Sequence, residues 1–131
     1  MRLPLITPAK IAVATFIKNF NRYSEKNRTS YLKLLAGMAS EDKILKPNPD
    51  WTPHYPIIIE VGGAIIIIVT GPTPRPKYTP CEIVLKEAID KATNFERIST
   101  GGIQHLVITA PETKVEIVAM PNTIRRIDTK E

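Results

Sequence analysis

Cys81 comes closest, by residue type and position, to a catalytic group in this chain. It follows Thr79-Pro80, which predicts a helix start, and a helix N-terminus can lower a thiol pKa and so make a nucleophile. Against this, Glu82 is adjacent, and the sequence does not oblige His54 or His105 to meet the thiol. A lone cysteine of this kind is usually a small packing residue. We therefore predict no catalytic residue and no enzymatic activity.

The sequence predicts no metal or cofactor site either. One cysteine and two histidines exclude a multi-cysteine zinc site and make a dedicated metal site improbable. Gly62-Gly63 and Gly101-Gly102 lack the spacing of a phosphate-binding loop, and turns explain both pairs. His105 falls within a predicted strand, where a hydrogen-bonded structural histidine is the better interpretation. We expect no cofactor, and no small-molecule substrate is evident.

Basic residues are concentrated in the N-terminal part of the chain. Residues 1–56 contain nine Lys or Arg and four Asp or Glu, whereas residues 57–131 contain nine of each. This asymmetry suggests an acidic partner, and a strip of cations can neutralise phosphates without reading base sequence. The alternative is an ordinary solvated surface. The predicted contacts to nucleic acid or another acidic partner, the basic strip, are Lys10, Lys18, Arg22, Lys26, Arg28 and Lys33.

The segment Ile57–Val69 predicts a β-hairpin that is apolar on both faces. Two β-branched strands flank Gly62-Gly63, which supplies positive φ at both centres of a type I′ turn. Side chains alternate between faces, and isoleucines occur on each. Since a small domain usually covers one sheet face and leaves the other wet, this hairpin predicts a second layer from another copy. The residues predicted for self-association are Ile57, Ile59, Ile65 and Ile67.

Glu60 is the one charge between Tyr55 and Arg75. A carboxylate buried among isoleucines needs a cation or a proton. We therefore expect Glu60 either to pair with a lysine or arginine or to lie in water at the margin of the sheet.

Three amphipathic helices are predicted around this hairpin. Thr7-Pro8 starts the first, Thr29 or Ser30 caps the second, and Thr79-Pro80-Cys81-Glu82 forms a capping box for the third. Apolar residues recur at helical spacing in each: Val13, Phe16, Ile17 and Phe20; Leu32, Leu35 and Met38; Val84, Leu85, Ala88, Ala92 and Phe95.

A second hairpin is predicted from Ile103–Thr109 and Lys114–Met120, with Thr123–Asp128 as a candidate edge strand. The element order predicts an α+β fold in which helices pack mainly on one face of an antiparallel sheet of four to five strands. The length of 131 residues favours a single domain, 1–131. Its parts are a basic helical segment 1–46, a stiff proline-rich connection 47–56 and a mixed β/α segment 57–131.

The composition is that of many thermophile proteins. Isoleucine occurs 19 times against eight leucines and seven valines, glutamine once, and eight of 12 prolines fall between Pro47 and Pro80. Few thermolabile side chains and proline-stiffened loops are common in such proteins. The longest apolar run, about 13 residues, is shorter than the ~20 of a spanning helix. The N-terminus is too short and too interrupted by prolines for a signal peptide.

In length, in isoleucine runs such as Ile65-Ile66-Ile67-Ile68, in its scarcity of cysteine and glutamine and in its basic N-terminal segment, the chain resembles small coat and virion proteins of hyperthermophilic archaeal viruses. Those of the two-tailed Acidianus virus are among them. The resemblance is compositional and assigns no functional residue. It implies a non-enzymatic, self-associating building block of a particle, located in the virion or the host cytoplasm, with DNA as a candidate partner.

Overall fold

The computed structural model describes residues 11–120. The helices are α1 (Val13–Lys18), α2 (Glu25–Gly37) and α3 (Cys81–Asp90), and short 3-10 turns cover Phe20–Arg22 and Glu41–Lys43. The strands are β1 (Ile44–Lys46), β2 (Ile57–Val61), β3 (Ala64–Thr70), β4 (Asn94–Thr100), β5 (Ile103–Thr109) and β6 (Thr113–Ala119). The predicted helix start Thr7-Pro8, the basic residue Lys10 and the candidate strand Thr123–Asp128 lie outside the described residues.

The six strands form one antiparallel sheet in the order β1-β2-β3-β6-β5-β4. Two of its hairpins turn at glycine pairs, Gly62-Gly63 with φ of 51° and 84° and Gly101-Gly102 with φ of 59° and 83°. Positive φ at both central positions is what a type I′ turn requires. Strand β3 then pairs along its whole length with β6, from Ala64 opposite Ala119 to Thr70 opposite Thr113. This pairing joins the two halves of the sheet.

The helices cover one face of the sheet, and the core lies between them. At one level of that face Ile59, Ile66, Ile117 and Leu106 stand side by side on four strands, and all four are buried. Helix α1 packs on β5, α3 packs on β5 and β6, and α2 packs on α3. The predicted α+β class with an antiparallel sheet is confirmed.

An aromatic cluster joins the first two helices to the edge of the sheet. The ring centroids of Phe16 and Tyr31 are 4.0 Å apart, and those of Phe20 and Phe95 are 5.4 Å apart. The Tyr31 hydroxyl donates a hydrogen bond to the carbonyl of Ile11 at 2.9 Å. These contacts hold α1 and α2 against β4, the strand to which Phe95 belongs.

Two helix starts differ from the prediction. The Oγ atom of Ser24 accepts a hydrogen bond from the backbone N–H of Asn27 at 3.2 Å, so the cap of α2 lies five or six residues before the predicted caps, Thr29 and Ser30. Helix α3 does begin at Cys81, but no side chain caps it. The Thr79 hydroxyl instead donates to the carbonyl three residues earlier.

The proline-rich connection between β1 and β2 is held by side-chain hydrogen bonds. The buried Asn48 accepts from the backbone N–H and the hydroxyl of Thr52, and it donates to the carbonyls of Thr52 and Tyr55. Trp51 is 3% exposed, and its indole N–H donates to the carbonyl of Thr79 at 3.0 Å. The connection is therefore fixed to the start of α3.

The sheet has six strands within residues 11–120, rather than four to five. One addition is the short edge strand β1, Ile44–Lys46, which the sequence did not predict. The other is β4, whose register runs from Asn94 opposite Thr109 to Thr100 opposite Ile103. Phe95 was predicted on the third helix, but that helix ends at Asp90.

Candidate self-association surface

The face of the sheet that points away from the helices carries eight aliphatic and nine polar side chains. We call it the open face. Its members alternate along each strand with the core residues, and most of the aliphatic ones are half-buried, although Ile98 is 37% exposed. Val107 is 9% exposed and does not belong to the core cluster. The polar residues of the open face are Lys46, Glu60, Asn94, Glu96, Thr100, His105, Thr109, Lys114 and Glu116. The aliphatic residues of the open face are Ile58, Ile65, Ile67, Val69, Ile98, Ile103, Val107 and Val118.

Two rows of side chains cross the centre of the open face at successive register levels. The upper row runs Lys46, Ile58, Ile67, Glu116, Val107, Glu96 from β1 to β4. The lower row runs Glu60, Ile65, Val118, His105, Ile98 from β2 to β4. The outer charged ends, Lys46, Glu60 and Glu96, are exposed. The upper row is charged at both ends and the lower row only at Glu60, and each row has aliphatic residues and one polar side chain, Glu116 or His105, inside.

One polar pair lies near the middle of the open face. Nδ1 of His105 is 2.9 Å from Oε2 of Glu116, and their side chains are 21% and 35% exposed. Each group gives the other a hydrogen-bonding partner, so the pair can tolerate partial desolvation better than either group alone. This is the structural role that the sequence favoured for His105.

The size of the open face is adequate for a stable contact. Strands about 4.8 Å apart with a rise of about 3.4 Å per residue give a six-stranded sheet a face of roughly 600 Å². Standard interfaces bury about 800 Å² of accessible surface per partner, with an apolar centre and a polar rim. The open face has charges at its rim, and its centre is aliphatic except for the His105–Glu116 pair.

The four residues predicted for self-association lie on two different faces. Ile57 and Ile59 are 3% and 0% exposed beneath the helices, whereas Ile65 and Ile67 lie on the open face. The reason is the register between the two strands. Ile59 pairs with Ile66 on the face that the helices cover, whereas Ile67 pairs with Ile58 on the open face. Ile57 and Ile59 therefore stabilise the protomer, whereas Ile65 and Ile67 are half-buried on the open face.

Glu60 takes the second of its two expected positions. It is exposed on the open face, next to the turn at Gly62-Gly63, where β1 no longer flanks β2. Within residues 11–120 no ion pair involves its carboxylate. Water solvates it at the margin of the sheet.

Cys81 lines a cleft of about 480 Å³ between the proline-rich connection and α3, with Trp51 and Tyr78 among its other walls. Burial, and secondarily the negative charge of Glu41, raises the pKa of the Cys81 thiol to about 11. The thiol is therefore protonated near neutral pH and is a poor nucleophile there. Among residues 11–120, no cluster of three histidine, cysteine or acidic side chains is suited to hold a metal ion.

The residues of the predicted basic strip differ in their exposure and in their contacts. Lys18, Arg22 and Lys26 are exposed. The Arg28 guanidinium donates to the carbonyl of Phe20 at 2.9 Å and lies over its ring, so its position is fixed. Nζ of Lys33 is 2.7 Å from a carboxylate oxygen of Asp90, which partly neutralises it; Lys10 lies outside the described residues.

Arg97 is a basic residue near this strip that the sequence did not single out. It comes from β4, and its guanidinium donates to the carbonyl of Lys18 at 2.7 Å. No helical or strand periodicity connects residues 79 positions apart, so the sequence held no signal for this contact. Lys18, Arg22, Lys26 and Arg97 are the exposed cations of this region within the described residues.

Comparison with protein-family models, with curated proteins and with solved structures finds no match. Among the helices of residues 11–120, none combines the length and apolarity needed to cross a membrane.

Proposed function

We propose that this chain is a non-enzymatic structural protein that associates with copies of itself through the open face. The observation that carries the proposal is that eight aliphatic side chains share one sheet face on which no helix of residues 11–120 packs. Large contiguous apolar patches on soluble proteins commonly mark interfaces. Burying this patch in an interface stabilises the association by about 25 cal/mol for each Å² of apolar surface that is removed from water.

The test compares two isoleucine-to-lysine substitutions by sedimentation velocity at micromolar concentrations. Ile67→Lys places a charge in the aliphatic centre of the open face, and we expect it to shift the parent oligomer to monomer. Ile83→Lys is the matched control, because Ile83 is 54% exposed on α3, away from the open face. It should leave the oligomer unchanged. A parent protein that stays monomeric at all these concentrations would contradict the proposal.

The compositional resemblance to virion proteins of hyperthermophilic archaeal viruses suggests the biological role of such a self-associating protein. A self-associating protein without catalytic groups suits the coat or another component of a particle, and it would then be found in the virion or the host cytoplasm. Mass spectrometry of purified particles tests this assignment. Detection of the chain at a stoichiometry similar to that of known coat components would support it, and its absence from intact particles would refute it.

A second candidate function is sequence-independent binding of nucleic acid. It is supported by the exposed cations Lys18, Arg22 and Lys26 and by Arg97, whose contact with the Lys18 carbonyl brings a further positive charge from β4. Binding of this kind releases counterions, so it weakens steeply as salt increases.

A mobility-shift titration with a DNA duplex of arbitrary sequence tests this second function. The parent should bind at 50 mM salt and lose roughly ten-fold or more in affinity at 200 mM if several phosphates are contacted. The variant Lys18→Glu/Lys26→Glu should bind more weakly than the control Lys43→Glu/Lys91→Glu, which changes net charge equally elsewhere. Equal binding by both variants, or no complex at low salt, would rule out the basic strip.

A further inference from the structure

Two charges at the rim of the open face, Lys46 and Glu96, have opposite signs and stand on opposite edges of the sheet. In the upper row Lys46 stands on edge strand β1 and Glu96 on edge strand β4. In the lower row the carboxylate of Glu60 stands on β2, and His105, which is 2.9 Å from Glu116, stands on β5. When a second copy is rotated so that the two edges of the sheet change places, the positive edge of each copy meets the negative edge of the other.

We infer that the occupant of the open face is a second copy, related by a two-fold axis that runs parallel to the strands between β3 and β6. This inference rests on the proposed function and specifies its geometry. Rotation by 180° about such an axis exchanges β3 with β6, β2 with β5 and β1 with β4, and it keeps each row at its own level. It brings Lys46 opposite Glu96 of the partner subunit, and Glu60 opposite the partner subunit's His105.

Part of the aliphatic centre matches in the same arrangement, although Ile67 faces Glu116 of the partner subunit and Val69 faces the partner's Lys114. Ile58 faces the partner's Val107, and Ile65 faces Val118 of the partner subunit. Two sheets stacked with their strands nearly aligned pack about 10 Å apart at roughly 30°, so these positions are near neighbours across the interface. Because a two-fold contact uses the same surface on both subunits, it closes as a dimer.

A two-fold axis perpendicular to the strands, placed between the two rows, fits the charges poorly. It exchanges the rows and sets Glu60 opposite Ile58 of the partner subunit. It likewise sets Glu96 opposite the partner's Ile98, so carboxylates lose water without gaining a cation. Desolvated charges without partners are costly, and the strand-parallel axis avoids that cost for Glu60 and Glu96, although it sets Glu116 opposite the partner's Ile67.

Within residues 11–120 Lys46 takes part in no ion pair. Its side chain is exposed, and its ammonium lies 5.4 Å from the centroid of the Tyr55 ring. Glu96 is likewise exposed on β4, and no ion pair within residues 11–120 involves it. The pair can therefore form without breaking an ion pair of either protomer among those residues.

Charge reversal at the two positions tests the arrangement. Lys46→Glu alone or Glu96→Lys alone sets like charges opposite each other at both ends of the dimer. We expect each to raise the dimer dissociation constant roughly ten-fold. A single ion pair at the rim is weak, but the two-fold axis makes the same contact occur twice in the dimer, so both contacts become repulsive. The double variant Lys46→Glu/Glu96→Lys should recover the parent value within about three-fold. Lys26→Glu, an equal charge change on α2, should leave it unchanged.

Mixing the two single variants gives a stronger form of the test. A heterodimer of Lys46→Glu with Glu96→Lys has opposite charges at both contacts under the strand-parallel axis, so the mixture should dimerise more tightly than either variant alone. Sedimentation equilibrium measures all of these constants, and thermal melts verify that each variant is folded. No gain on mixing, or a double variant weaker than both singles, would overturn the inferred arrangement.

The outcomes separate this inference from the proposed function. A parent dimer that Ile67→Lys disrupts, but that is indifferent to the charge reversals, retains association through the open face and refutes the two-fold geometry. A parent that is monomeric throughout refutes the proposed function itself.

Discussion

Nδ1 of His105 lies 2.9 Å from Oε2 of Glu116 on the neighbouring strand, within an otherwise aliphatic part of the open face. The register places His105 opposite Val118 and Glu116 opposite Val107. The contact is therefore diagonal, between side chains two residues out of register. It joins the two strands on the face that carries the inferred interface.

Removing one member of this pair should cost more than removing both. Glu116→Val leaves Nδ1 of His105 without its protein partner, and we expect it to lower the free energy of unfolding by about 1 kcal/mol. The double variant His105→Val/Glu116→Val should recover most of that loss, because valine suits a strand and leaves no polar group unpaired. Urea unfolding of the parent, Glu116→Val, His105→Val and the double variant, all in one association state, measures the coupling. A double variant less stable than Glu116→Val would contradict this expectation.

Tyr31 should make stability sensitive to alkaline pH. Burial, and secondarily the charge of Tyr23, raises the pKa of Tyr31 from 10.0 to about 12. A group whose folded pKa is raised contributes stability that is complete below the unfolded value and is lost as pH rises through the folded value. Stability attributable to Tyr31 should therefore fall between about pH 10 and pH 12. Absorbance at tyrosinate wavelengths should show this phenol ionising late.

Tyr31→Phe separates the ionisation from the hydrogen bond. The variant loses the bond to the carbonyl of Ile11 and should be about 1 kcal/mol less stable than the parent at neutral pH. It should also lose part of the alkaline decline and the late absorbance step. Tyr78→Phe is the control, since Tyr78 is 88% exposed. An unchanged alkaline profile in Tyr31→Phe would refute the assignment.

Glu87 should contribute stability that is lost in acid. Its hydrogen bond from Arg75, helped by the charges of Arg75 and Lys91, holds the pKa of the Glu87 carboxyl below its ordinary value of 4.5. Because the folded pKa is depressed, the contribution is present above the ordinary value and disappears as pH falls through the folded one. The carboxylate is 37% exposed, so solvent screening limits the contribution to about 0.5–1 kcal/mol.

The measurement compares Glu87→Gln with the parent by urea unfolding at pH 7 and pH 3. The variant should be less stable at pH 7, and the difference should shrink at pH 3. Glu112→Gln is the control, since Glu112 is exposed and takes part in no ion pair found within the described chain. A difference that persists in acid would show that Glu87 acts through packing and not through charge.

Two glycines should respond to alanine in opposite directions. A Cβ added to Gly71 would lie 3.0 Å from the backbone oxygen of Glu112 and 3.1 Å from its Cα, so Gly71→Ala should destabilise by about 1–3 kcal/mol. A Cβ on Gly37, at the end of α2, meets no heavy atom within 4 Å. Gly37→Ala should stabilise by up to about 1 kcal/mol. Chemical denaturation of both variants tests the pair, and a stabilised Gly71→Ala would contradict the close approach.

The isoleucine hairpin was predictable from sequence because both of its signals are local. Alternation and the Gly62-Gly63 pair placed strands at residues 57–61 and 64–69, and the structure has Ile57–Val61 and Ala64–Thr70. Strand β4 was missed although Gly101-Gly102 repeats the same turn signature. As an edge strand it is almost wholly exposed, so it lacks the apolar alternation that identifies a buried strand.

The choice of face was beyond the sequence. Period-two alternation defines two faces of Ile57–Val69, but which face the helices cover depends on contacts between distant elements such as α3 and β6. The cap at Ser24 was missed for a different reason, since several residues nearby are good caps and only the geometry chooses among them.

Because β3 pairs with β6, the sheet cannot be completed until the β6 segment has been synthesised. During synthesis the isoleucine-rich β3 emerges with β2 beside it, but its other edge waits for Thr113–Ala119. Nascent chains can aggregate through unpaired apolar strand edges. The pairing of strands that are distant in sequence is also slow. The β6 segment thus acts as the closing strand, and a nascent chain stalled before residue 113 exposes an edge made mainly of isoleucine.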